Sequence, residues 1–104
     1  MKVLAISLPD GSMVGIPVEV IARDRAAHYA SEFDGDIERS LTEDTMPSFE
    51  SDPYEVKDWA ANNMNWSDVA RHAIKIKGPD EPDMQEVWIN GPKEVMDIQV
   101  AGQA

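Results

Sequence analysis

The chain has 104 residues, no cysteine, and 20 acidic residues against 9 basic ones, for a net charge of −11. That length and an ordinary share of apolar residues suit one globular domain spanning 1–104 rather than a disordered chain. The absence of cysteine excludes disulfides, thiolate zinc sites and a thiol nucleophile, and the short apolar runs exclude a membrane span. The expected compartment is a reducing cytoplasm.

Taken in chain order, "KVLAISL" and "MVGIPV" read as two strands joined by a Pro-Asp-Gly turn. The apolar positions Val18, Ile21, Ala22, Ala26, Tyr29, Ala30 and Phe33 recur at helical spacing, which predicts a helix over 17–33 ended by Asp34-Gly35. Ile37 and Leu41 predict a short acidic helix that stops before Pro47. "SDPYE" starts the next helix, with Asp52 as cap and Glu55 three residues on. That helix presents Val56, Trp59, Ala60 and Asn63 on one side. "NNMN" predicts its exit through a left-handed asparagine, and Asn65 or Ser67 caps a further turn. "HAIKIK" alternates as a half-exposed strand does. "GPDEPD" reads as a loop, "EVWING" and "KEVMDIQV" as strands flanking Asn90-Gly91, and 101–104 as a frayed tail. The fold class expected is α+β: an N-terminal β-hairpin, two to three helices, then two to three C-terminal strands forming a small antiparallel sheet packed on helices.

Catalytic patterns are thin, and the chain reads as a non-enzyme. Neither His28 nor His72 has a carboxylate at an orienting spacing, and no zinc-ligand motif occurs. Ser12 in "DGSMVG" lacks the nucleophile-elbow spacing and belongs to the turn. "DGDIERSLTED" fails as a calcium loop, because counting from Asp34 puts Arg39 at the glycine position and Thr45 at the bidentate glutamate position. No cofactor or dedicated metal site is expected, and "IKIKG" is too sparsely basic to bind nucleic acid.

The charge distribution is the informative feature. Residues 1–31 balance, whereas residues 32–58 hold ten acids against Arg39 and Lys57, a local net of −8. Such a field repels nucleic acid and anionic membranes and attracts basic surfaces. Carboxylates three or four residues apart on a helix lie about 5–6 Å apart, a charge density of the same order as the one phosphate per ~3.4 Å of axis that each DNA strand presents. The candidate partner-binding residues are Glu32, Asp34, Asp36, Glu38, Glu43, Asp44, Glu50, Asp52, Glu55 and Asp58, with Trp66 as an aromatic anchor beside them. Trp59, on the apolar face of its helix, is assigned to the core.

The stretch "DWAANNMNWSDV", with "IPVEVIARDRAAHYA" and "ERSLTEDT" before it, resembles small acidic proteins of tailed bacteriophages and prophages, over most of residues 12–76. The resemblance implies a phage-encoded protein acting in the cytoplasm of the bacterial host cell, and brings no catalytic residues with it. Some small acidic phage proteins antagonise host restriction or CRISPR systems by imitating DNA. The partner expected is therefore a basic, nucleic-acid-binding host protein. Two other readings stand beside this one: an assembly accessory or homodimer joined by a hydrophobic contact such as "KEVMDIQV", and a small metal-dependent protein using the 34–44 carboxylates.

Overall fold

Two strands, Lys2–Ser7 (β1) and Met13–Pro17 (β2), pair antiparallel with Leu4 opposite Ile16 and Ile6 opposite Val14. The computed structural model describes residues 1–9, 11–77 and 84–98. The predicted turn closes at Gly11, whose φ of 88° is the left-handed conformation a glycine takes without a Cβ clash; Asp10 lies outside the described residues. The predicted "GPDEPD" loop and the 101–104 tail also lie outside them.

Ile74–Lys77 (β3) adds beside β2 and Lys93–Asp97 (β4) beside β1, giving one antiparallel sheet in the order β3-β2-β1-β4. Alternation along the strands sends Leu4, Ile6, Val14 and Ile16 into the main core with the helices. Val3, Ala5 and Gly15 take the other face, where a Cβ at Gly15 would sit 3.1 Å from both Val3 and Ile76. The α+β class holds: a hairpin, a run of helices, and two later strands that complete the sheet from its two sides.

Val18–Tyr29 (α1) buries Val18, Ile21, Ala22 and Ala26 on the sheet. It continues as a 3-10 turn, Ala30–Phe33, and stops where Asp34 (φ 57°) and Gly35 (φ 80°) turn left-handed. The predicted helix thus keeps its extent, with its last turn tightened.

The segment expected to stop before Pro47 runs on to Ser51. Ile37–Ser40 (α2) passes into a π-helical stretch, Leu41–Thr45, and then into Met46–Ser51 (α3). Inside an α-helix a proline loses its own hydrogen bond and its ring strikes the carbonyl four residues back. Here the Met46 N–H reaches back five residues to the Leu41 carbonyl, so the turn is widened just ahead of Pro47. Proline therefore falls in the opening turn of α3, where it is tolerated. Ser40, Leu41, Thr45 and Phe49 form the buried stripe across this joint.

Tyr54–Asn63 (α4) starts with the Asp52 carboxylate accepting the Tyr54 N–H at 3.1 Å, but the Glu55 arm of the expected box is not formed, since the Asp52 N–H donates to the Ser48 carbonyl. Its exit differs from the expectation. Met64 (φ −129°) and Asn65 (φ −112°) leave in extended rather than left-handed conformation. The reason is the next helix: an N-cap residue needs extended backbone, and Asn65 forms a reciprocal capping box with Asp68 to start Trp66–Val69 (α5).

"EVWING" is not a strand. Met84–Asn90 (α6) is helical, and Met84, Val87 and Trp88 are buried at helical spacing against α4 and α5. The expected Asn-Gly hairpin is accordingly absent: the Gly91 N–H donates to the Val87 carbonyl at 2.8 Å and closes the helix. Tertiary burial of Trp88 overrides the strand propensity of Val, Trp and Ile.

Candidate functional site

The ten candidate carboxylates fall into two groups. Glu32 to Asp44 lie on the 3-10 turn, α2, the π stretch and the 34–36 turn that joins the first two, and these three elements pack along α1. Glu50, Asp52, Glu55 and Asp58 follow at the corner between α3 and α4. All ten are exposed except Asp44, which is half-buried.

Arginines of α1 fold onto the first group. Arg23 donates to Glu38 at 2.6 Å and to Glu19 at 3.2 Å. Arg25, only 15% exposed, bonds Asp44 at 3.0 Å and the fully buried Thr45 hydroxyl at 2.9 Å. Its guanidinium also stands 4.9 Å over the Tyr29 ring. Arg39 bonds Glu43 at 2.7 Å one turn along. The neighbouring carboxylates hold the Arg23 and Arg39 guanidinium groups above their ordinary pKa, chiefly by accepting their hydrogen bonds at Glu38 and Glu43.

Three of the ten carboxylates are therefore ion-paired within the chain. Asp36 and Asp52 cap helices, accepting the backbone N–H groups of Arg39 and Tyr54. Asp58 accepts from the Asn62 side chain at 2.9 Å. Glu32, Asp34, Glu50 and Glu55 have no ion pair among the described residues. The surface keeps a clear excess of negative charge after its arginines are spent.

The tryptophans divide. Trp59 is 9% exposed and donates its indole N–H to Asp24 at 2.9 Å, with His28 and Tyr29 ringed against it at 5.3 and 5.8 Å between centroids. It is a core residue, as expected, and His28 is its packing partner. Trp66 is half-buried on α5, where its ring lies 6.0 Å from that of Trp88 and its backbone N–H donates to Gln85. That position belongs with α6, which packs on α4, the helix that carries Glu55 and Asp58. Trp88, which sequence reasoning placed in a strand, is fully buried and donates to the Met64 carbonyl at 3.2 Å.

Among the described residues no three His, Cys, Asp or Glu side chains converge as metal ligands. No helix among them is long and apolar enough to cross a membrane.

No protein-family description matches the chain, and neither does any curated protein or solved structure.

Proposed function

We propose that the chain is a non-enzymatic, phage-type interaction protein whose acidic helical surface occupies a basic, nucleic-acid-binding surface of a host protein. The observation that supports this most is the state of the arginines on α1 and α2. Arg23, Arg25 and Arg39 are each engaged by a carboxylate of the same chain, and seven of the ten candidate carboxylates still have no ion pair among the described residues. Such a surface costs the fold self-repulsion, and an Arg- and Lys-rich partner relieves it. The three internal ion pairs serve the same end by fixing Glu38, Glu43 and Asp44 in place before binding.

The test is capture from bacterial lysate by the tagged chain at low and high salt, read by mass spectrometry, beside a triple variant Glu32→Arg, Glu50→Arg, Glu55→Arg. These three positions neither cap a helix nor form an ion pair, so the fold should survive. The expected result is a nucleic-acid-binding protein retained at low salt, released at high salt and lost with the variant, because exposed charges are screened within about 10 Å at 0.1 M salt. Capture that persists in high salt and in the variant would refute the reading.

A further inference from the structure

The free edge of β4 differs in kind from the acidic surface, and its role is independent of that surface's function. β4 ends the sheet and pairs only with β1. Met1 and Ile98 exchange backbone hydrogen bonds at both groups, and the Ser7 N–H donates to Pro92 at 3.0 Å. Bonded pairs alternate along an antiparallel ladder, so Glu94 and Met96, opposite Ala5 and Val3, turn their N–H and C=O groups toward β1. Those of Lys93, Val95 and Asp97 turn outward, where they meet no backbone partner among the described residues.

A cleft runs along this edge, facing α4. One end, about 480 Å³, is walled by Tyr54, Lys57 and residues 94–97 of the strand. The other, about 270 Å³, is walled by Lys57, Ala61 and Lys93. Tyr54, Lys57 and Ala61 share one stripe of α4. Glu94 and Met96 lie on one face of the sheet and Val95 and Asp97 on the other, so the cleft lies against the edge itself.

Its charge is also distinct. Lys57 and Lys93 line the second end together with Asp58, whose carboxylate accepts from the Asn62 side chain, and neither lysine has an ion pair among the described residues. The Lys93 ammonium is held by the Ile89 and Gly91 carbonyls at 3.2 and 2.7 Å. Burial, and then the charge of Lys57, lower its pKa. Tyr54 stands 62% exposed at the mouth.

We propose that this edge takes an extended segment of a partner protein as an added strand, with a Glu or Asp side chain of that segment placed between Lys57 and Lys93. The outward groups of residues 93, 95 and 97 form the ladder, five residues spanning about 17 Å, and Tyr54 covers an apolar side chain of the guest. A second copy of this chain fits less well. Antiparallel pairing of two β4 strands would set Lys93 opposite Asp97, but that carboxylate is already held by the Met1 ammonium at 2.9 Å. Lys57 would remain unanswered, and two chains of net −11 repel.

The test titrates the ¹⁵N-labelled full chain with acetyl-Thr-Val-Glu-Val-Thr-amide and with its counterpart carrying Lys in place of Glu. The expected result is saturable shifts at the Lys93, Val95 and Asp97 amides, slowed hydrogen exchange at Val95 and Asp97, and binding about tenfold weaker for the lysine peptide and for the Lys57→Glu chain. No saturable shift at millimolar peptide would overturn the proposal, as would equal response to both peptides. Shifts of the same amides when the free chain alone is concentrated would overturn it in favour of a second copy.

Discussion

Replacing Trp88 by phenylalanine separates the helical placement of residues 84–90 from the strand their composition suggests. Trp88 is fully buried, and its indole N–H is the donor to the Met64 carbonyl, the point where the chain leaves α4. Phenylalanine keeps most of the apolar surface but removes that donor, stranding a buried carbonyl at a cost of about 1–3 kcal/mol. The smaller ring leaves a void worth about 1–2 kcal/mol more. A loss near 3 kcal/mol is expected, from a total stability of about 5–15 kcal/mol for a chain of this size. Trp59→Phe should cost less, because Asp24 is exposed and its carboxylate returns to water. Trp66→Phe should cost least, since its indole has no hydrogen bond among the described residues. Urea unfolding followed by circular dichroism gives the order directly. A Trp88→Phe loss below that of Trp66→Phe would refute the packing of α6 against α4 and α5.

Gly91→Ala should destabilise by about 2 kcal/mol, because its Cβ would lie 2.6 Å from the Val87 carbonyl oxygen, a backbone atom that cannot swing aside. Gly35→Ala has open space around the new methyl and should lose only the left-handed penalty of about 1 kcal/mol; thermal melts of the pair check the contrast. Asn65→Ala removes one arm of the capping box and should cost about 1 kcal/mol in urea unfolding. Lys57→Met removes the like charge that helps lower the Lys93 pKa below 10.5. A lysine whose folded pKa is depressed opposes folding while it is charged, and stability recovers as pH rises from the folded pKa toward the unfolded one. The variant should therefore be more stable than the parent at neutral pH, with the gain fading as pH approaches the lysine range. A gain that is constant with pH would contradict the link.

Where a segment's periodicity and its tertiary environment agree, the sequence is a good guide. Val56, Trp59 and Ala60 share a helix face and are buried, and Asp34-Gly35 ends a helix because those two residue types enter left-handed backbone most easily. The failures have physical causes. Pro47 reads as a stop only if the preceding turn is α-helical, and nothing in the residue types of 41–45 announces a wider one. In "EVWING" the strand-favouring residues and the Asn-Gly pair outweighed Met84, Val87 and Trp88, which already stood at helical spacing.

The candidate surface was legible in its carboxylates but not in its cations. Summing charge along the chain placed Arg23 and Arg25 in a neutral block, yet the fold lays both on Glu38 and Asp44. Part of the acidic surface is thus more rigidly held than a local sum implies, while the net charge is unchanged because α1 also carries Glu19 and Asp24. The cleft beside β4 was not legible at all. It depends on β4 reaching the sheet end next to β1, which brings Lys93 to Lys57 from far along the chain.

The π-helical turn at 41–45 also bears on how this protein could change over generations. A wide turn holds one residue more than an α-helical turn of similar rise, so it is a place where chain length can drop by one without remaking either flank. Removing Thr42 or Glu43 would let the turn revert to ordinary winding while Ile37–Ser40 stays on α1 and Met46–Ser51 stays on α4. The proline would then face the clash it now escapes, so a shortened descendant should also have exchanged Pro47. Deletion and exchange are expected to travel together: the joint lets the length vary, and the proline sets the terms.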